Sequence, residues 1–470
     1  MQFLPELILL GAGLIIFIVS LGKTNAATTR DIAIGLGAAV FGATLLSYSQ
    51  EGKLFFNAYQ VDLFSQVFKT LIAGAMLLVL LFGQKLKGIS EKVHPEYYLF
   101  LFMSVLGLMM LVSSVELLAI FVSLELSSFA VYIMVPMRDD EGKFRFQMEA
   151  GIKYLLFGVT ATGFMLFGMS YMYGLTGSTE LSTVIKGLSV IWNQPAAVIA
   201  MTMVLAGFFY KLAIFPFHFW VPDVYEGASN ETTAFIASVP KLAAVALLIR
   251  LVSLISGDGQ VILNVLIVCS LASMFYGNLS ALVQTDVKRM LGFSGIAHAG
   301  FVLLGILTFQ ITGYANAMYY IIGYVVMNLA CFLVICTVSE NGENVAIDDL
   351  SGLHKRSPIM AFTLAVGLFA LAGIPPFVGF MGKFMLLTGA LKEGYLIVVI
   401  LAAINTAIAI YYYLSVVRVT YCSDSEERSI VSPSMLTNIT SVFLLAVIVI
   451  MGIQPQFFVD YASTVVQTIM

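Results

Sequence analysis

Six of the 23 Lys and Arg residues lie inside long apolar segments: Lys69, Lys153, Lys211, Lys241, Arg250 and Lys383. A charge at mid-bilayer costs roughly 2.5–3.5 kcal/mol on insertion scales, so such groups are retained chiefly where they serve a function. Glu125 lies ten residues into another apolar run. Lys211 precedes Pro216 by five residues, Lys241 directly follows Pro240, and Lys383 follows Pro376 by seven. A proline removes an amide donor and frees a carbonyl, which water or a side chain must then satisfy. An amine beside such a hydrated break suits proton transfer. Burial disfavours its charged form and a nearby carboxylate favours it, so a movable ion pair would act as a switch. Lys211, Lys241, Lys383 and Glu125 are therefore the expected proton-transfer groups.

Other titratable residues are more ambiguous. Lys153 follows Glu149 by four residues, which suits a structural ion pair as well as a relay. His218 and His298 titrate near neutrality, but each is equally well read as a core histidine. Lys69 and Arg250 lie within about seven residues of span ends and read as amines snorkelling to the interface. Glu116, nine residues before Glu125, reads as interfacial.

These groups require a membrane scaffold. The chain has 470 residues, 60% hydrophobic and 11% charged, with a mean hydropathy of +0.97. Soluble domains average about 25% charged, so the composition is that of an integral membrane protein. The apolar runs are too long and continuous for barrel strands of about 10 residues, which predicts an all-α polytopic fold. Fourteen candidate spans follow, at 3–21, 31–49, 62–82, 97–115, 116–136, 149–174, 196–217, 229–255, 260–278, 287–309, 312–338, 358–391, 393–422 and 435–455. The first lacks a basic flank or a small-residue cleavage site and reads as a retained span.

Loop charge gives orientation. Fourteen loop Lys and Arg residues, among them Lys23, Lys85, Lys143 and Arg145, follow odd-numbered spans. Only Lys53, Lys186 and Lys392 follow even-numbered ones. The positive-inside bias then places both termini outside. No basic-aromatic array points to nucleic acid. Cys269, Cys331, Cys336 and Cys422 form no CxxC pair, and with few His or Cys at ligand spacings no metal or iron–sulfur site is expected on this chain.

The seventh and twelfth spans are both interrupted by proline, and Pro216 and Pro376 are 160 residues, or five spans, apart. An odd number of spans between copies inverts the second. Interrupted segments at matching places in two halves point to a translocation site.

The stretch from Tyr210 and Lys211 through Pro216, His218, Trp220, Pro222, Asp223, Tyr225 and Glu226 to Gly227 resembles the seventh-helix signature of chain N of bacterial respiratory complex I, the proton-translocating NADH:quinone oxidoreductase. Glu149–Gly158, Gln284–Leu291 and Gly373–Lys383 fit the same family. The resemblance covers nearly the whole chain, most strongly residues 60–420. The Pro222–Gly227 run and a lysine at 383 favour chain N over the larger antiporter-like chains M and L.

The resemblance implies a three-helix segment at 1–96, inverted five-helix repeats at 97–257 and 258–422, and a C-terminal helix at 423–470. Glu125 and Lys211 would be the coupling ion pair, Lys241 the central proton carrier and Lys383 the route to the outer exit. It also implies other membrane and peripheral subunits as partners, carrying FMN and iron–sulfur clusters with quinone as acceptor. The location would be the inner membrane of a bacterial cell. Two departures stand out: Gly295 occupies a position where the family usually has serine, and Asn230-Glu231-Thr232 replaces a proline-containing stretch. The alternative reading is a subunit of a multi-subunit cation/proton antiporter, which uses the same fold.

Overall fold

The computed structural model describes residues 1–22, 25–82, 86–139, 146–192, 194–255, 260–423 and 428–470. Four of the loop charges used for orientation, Lys23, Lys85, Lys143 and Arg145, lie outside them. The chain opens with α1 (Leu4–Ser20) and α2 (Ala26–Leu46), joined by a short hairpin of β1 (Gly52–Leu54) and β2 (Tyr59–Val61) to α3 (Leu63–Phe82). Then come α4 (His94–Ser113), α5 (Leu117–Met134), α6 (Phe146–Thr176), the short α7 (Leu181–Ser189), α8 (Pro195–Leu212), α9 (Trp220–Gly227) and α10 (Asn230–Ser253). The second half runs α11 (Gln260–Ala281), α12 (Val287–Ile306), α13 (Ile311–Val338), α14 (Leu353–Arg356), α15 (Pro358–Ala372), α16 (Val378–Lys392), α17 (Leu396–Cys422), α18 (Met435–Ile453) and α19 (Pro455–Gln467).

Twelve of the described helices are long and apolar enough to cross a bilayer. The expected span at 3–21 is shorter, since α1 has 17 residues, whereas the one at 358–391 is interrupted as its prolines imply, forming α15 and α16 of 15 residues each. The hairpin is a small exception to an all-helical reading, pairing Gly52 with Val61 and Leu54 with Tyr59. The fourth and fifth spans separate at Ser113 and Leu117, where Glu116 caps α5 by accepting the Ala119 N–H at 2.8 Å.

The helices sort into a centre and a shell. The apolar window of α10 is 100% buried and that of α12 94%, against 33% for α17. Helices α1, α6, α17 and α18 turn Leu, Ile and Phe side chains outward, as surfaces facing lipid or another subunit do. Both helix breaks lie against the centre. Helix α8 ends at Ala213, in left-handed backbone (φ 63), before a cis Phe215–Pro216 bond. The Ser273 hydroxyl accepts the Phe215 N–H at 2.9 Å, and the Trp220 indole donates to the Tyr210 carbonyl at 3.0 Å. Helix α15 ends at Gly373 (φ 87), before a cis Pro375–Pro376 bond.

Lys69 and Arg250 do not snorkel. The Lys69 amine meets Glu6 of α1 at 2.8 Å with both side chains 0% exposed, and Tyr59 donates to the same carboxylate at 2.6 Å. Arg250 forms a bidentate pair with Asp62, at 2.9 and 3.0 Å. A carboxylate on a neighbouring segment holds each cation inside, so neither side chain has to reach the interface. The first pair fastens α1 to α3, and the second fastens the start of α3 to the end of α10. Removing one partner of a buried pair leaves the other uncompensated, at roughly 3–5 kcal/mol. Arg250→Met is therefore expected to lower the thermal stability of the purified chain markedly, whereas Arg250→Met with Asp62→Leu recovers most of it. Equal losses in single and double variants would contradict the pairing.

Candidate proton-relay site

The four expected proton-transfer groups are all buried: Glu125 is 9% exposed, Lys211 3%, Lys241 2% and Lys383 4%. They come from α5, α8, α10 and α16, and each is set by a local feature of its helix. Lys211 occupies the last turn of α8, just before the break. Its amine donates to the Ser127 hydroxyl at 3.2 Å and the Ser128 hydroxyl at 3.0 Å, both on α5. Glu125 is two and three residues upstream of these serines, beside Thr162 of α6, and close enough to Lys211 for the two charges to attract. No ion pair of 4.0 Å or less joins them among the described residues, and Glu125 Oε1 has no protein hydrogen-bond partner. The serines thus hold the amine while the carboxylate stands off.

Lys241 follows Pro240 inside α10. The proline takes the partner from one helical carbonyl, and one residue on, Asn328 of α13 donates to the Ala237 carbonyl at 3.2 Å. The Lys241 amine donates to the Tyr324 hydroxyl at 2.9 Å and lies 4.8 Å from the centre of that ring. Gly295 leaves this contact uncrowded, since a Cβ there would meet the amine at 2.7 Å and the hydroxyl at 2.9 Å and push one of the two side-chain ends aside.

His298 lies beyond Tyr324, with ring centres 5.0 Å apart. Its Nδ1 is 2.7 Å from the Tyr320 hydroxyl and its Nε2 3.1 Å from the Tyr413 hydroxyl, which in turn bonds Ser294. The imidazole lies within electrostatic reach of both Lys241 and Lys383. Lys383 donates to the Leu371 and Ala372 carbonyls at 2.9 and 3.1 Å. These are carbonyls at the end of α15, left without helical partners by the break. Lys383 also lies 5.2 Å from the Phe301 ring centre. One break is thus capped by a neutral indole and the other by an amine that can lose its proton.

The remaining expected groups lie outside this set. Lys153 sits in an ion-pair network with Glu149 (2.7 Å) and Asp223 (2.7 Å), which Arg289 joins to Glu226. Burial raises the Asp223 carboxyl, but hydrogen bonds from Lys153 and Arg289 outweigh that and hold it below the usual carboxylate range. His218 is 0% exposed, packed between Phe219 and Tyr276, and neither ring nitrogen has a protein partner. Ser127, Ser128, Tyr320, Tyr324 and Tyr413 were not anticipated. The one available signal was spacing: Tyr320 and Tyr324 share a helix face at i,i+4, and Ser127 and Ser128 follow Glu125 within one turn.

Among the described residues no group of three or more His, Cys, Asp or Glu side chains is placed to hold a metal ion. The arrangement offers buried amines, an imidazole and hydroxyls, all groups able to exchange protons.

Comparison with known proteins bears on this geometry. Residues 114–409 match the family model described as NADH:quinone oxidoreductase/Mrp antiporter, transmembrane. The chain is 49% identical to NADH-quinone oxidoreductase subunit N 2 of Opitutus terrae, over 100% of this chain and 98% of that one. It is 43% identical to the protein of the same name from Syntrophobacter fumaroxidans, over 91% and 90% of the two chains. A chain of respiratory complex I from Thermus thermophilus with bound aureothin superposes with a TM-score of 0.83. That chain is 27% identical, and the match covers 97% of this chain and 98% of that one.

Proposed function

This chain belongs to the NADH:quinone oxidoreductase/Mrp antiporter transmembrane family, and on that premise we propose that it acts as the antiporter-like subunit N of a proton-translocating NADH-quinone oxidoreductase, respiratory complex I. The observation that carries the mechanism is the set Lys211, Lys241, His298 and Lys383, all buried, the first three each hydrogen-bonded to a hydroxyl. The chain is a non-redox, multi-pass subunit working with other membrane and peripheral subunits. FMN, iron–sulfur clusters and quinone belong to those partners, which supply the energy.

Elementary electrostatics gives the set a direction. With Glu125 against Lys211, the amine's charge is compensated and Lys241 can take up a proton. With Glu125 drawn off, the exposed charge on Lys211 pushes the proton from Lys241 towards Tyr324, His298 and Lys383. Two unit charges about 10 Å apart at an effective dielectric of about 20 repel by roughly 1.7 kcal/mol. That is of the order needed to move one charge against 100 mV, about 2.3 kcal/mol.

The two broken helices, each ending in a left-handed residue before a proline, support inverted repeats over 97–257 and 258–422, flanked by 1–96 and 423–470. Loop charge supports placing both termini on the non-cytoplasmic side. The face carrying Lys87, Arg138, Lys288 and Arg289 is then cytoplasmic and takes up protons. A direct test is purification of the tagged chain in mild detergent. It should bring down flavin- and iron–sulfur-containing subunits with NADH–quinone reductase activity. Recovery only with the subunits of a cation/proton antiporter would favour the second reading and overturn this one.

A further inference from the structure

Glu231 stands in the first turn of α10 and is 2% exposed, and its Oε2 has no protein hydrogen-bond partner. The charged and titratable groups facing it are Lys288 from α12, Lys87 from the loop before α4, Tyr97 and Tyr98 from α4, and Cys336 from α13. Neither amine pairs with it. Lys288 donates to the Ala228 carbonyl at 2.8 Å and Lys87 to the Ser339 carbonyl at 2.6 Å. Backbone N–H groups of Glu231 and Lys87 face the carboxylate, but no cation is locked to it and its second oxygen is left without a protein partner. It is well placed to gain and lose a proton.

Two cavities lead to it from the basic face. The outer one, about 520 Å³ and open, is lined by Arg30, Lys87, Glu91, His94, Leu86 and Tyr98 among others. The inner one, about 10 Å³, is lined by Glu231, Tyr97, Leu86 and Tyr98, and is at the lower limit for a single water. Leu86 and Tyr98 wall both, so one layer of side chains separates surface water from the carboxylate.

Inward, Glu231, Ser238 and Lys241 fall at i, i+7 and i+10, along one side of α10, with Lys241 about 15 Å further along the axis. The Ser238 hydroxyl is buried and has no protein partner. Asn328, beside it at the Ala237 carbonyl, donates to the Tyr324 hydroxyl at 3.4 Å, and Lys241 donates to that same oxygen. A buried polar atom without a protein partner is normally satisfied by water, so the stretch between Glu231 and Lys241 has polar stations for a short water chain.

We propose that Glu231 is the proton-uptake group of this chain, taking H⁺ from water in the outer cavity and releasing it past Ser238 to Lys241. The proton binds the carboxylate and leaves it again, with no net change at Glu231. The proposal rests on the reading of Lys241 as the central carrier.

The test uses the complete complex in proteoliposomes, with Glu231→Gln, Glu231→Asp and Lys241→Met compared for NADH-driven proton uptake over a range of external pH. Assembly is checked by flavin content. Glu231→Gln, equal in shape but unable to exchange, should lose about tenfold or more in uptake rate, with the loss growing as pH rises and protons become scarce. Glu231→Asp should keep most of the rate. Wild-type uptake in Glu231→Gln with Lys241→Met inactive would overturn the uptake role and leave the relay standing. Equal loss in the Gln and Asp variants would show that shape matters rather than exchange, and would also overturn it. Full uptake in Lys241→Met would instead remove the reading beneath.

Discussion

Replacing Lys241 with methionine should stop proton movement through this chain and reduce coupled quinone reduction by about a hundredfold. Methionine keeps the volume and stays apolar, so α10, already wholly buried, has no reason to unfold. What it removes is the amine that donates to Tyr324 at 2.9 Å. That contact could also be read as a tether between α10 and α13, and Lys241→Arg separates the two readings. Arginine keeps a charge and a donor toward Tyr324 but does not give up its proton in a protein. A tether would work with arginine, whereas a carrier would be as inactive as with methionine. The measurement is NADH-driven proton pumping and quinone reduction by the assembled complex, and wild-type rates in Lys241→Arg would defeat the carrier role.

The second large effect is expected at the switch. Glu125→Gln and Lys211→Met should each cut coupled turnover by at least about tenfold, and the double variant should be no slower than the worse single one. Two groups that act as a unit give such non-additive losses. The geometry makes the result informative. The Lys211 amine is held by Ser127 and Ser128 and attracts Glu125 without an ion pair, so neither side chain depends on the other to be satisfied in the fold. A purely structural role predicts stability losses and little kinetic coupling. A switch predicts strong coupling in turnover with the melting temperature nearly unchanged. Losses that simply multiply in the double variant would contradict it.

How far these residues could be read from the sequence depended on their neighbours in the chain. A lysine inside an apolar run is conspicuous because charge there is costly, and a proline beside it marks a break. Lys211, Lys241 and Lys383 were therefore legible, and so was the position of both interruptions. The partners were not. Tyr324 is 83 residues from Lys241 and Tyr413 is 115 from His298. A tyrosine in a membrane helix reads as packing until the fold brings its hydroxyl to an amine. Lys69 and Arg250 were misread for the same reason, since Glu6 and Asp62 lie on other segments and only the fold unites them. The role of Lys383 as cap of a broken helix could not be seen either, because it depends on α16 folding back on α15 so that the amine reaches the Leu371 and Ala372 carbonyls. The length of α1 escaped, because mean apolarity fixes where a span lies better than where its helix stops.

Every part of the mechanism needs water beside these amines at mid-membrane. The decisive measurement is a density map of the assembled complex at a resolution that shows ordered water. It should reveal waters hydrogen-bonded between Glu231, Ser238 and Lys241, and from Lys211 through His298 to Lys383. Tightly packed apolar side chains filling those intervals, with the amines fully satisfied by protein alone, would contradict the account.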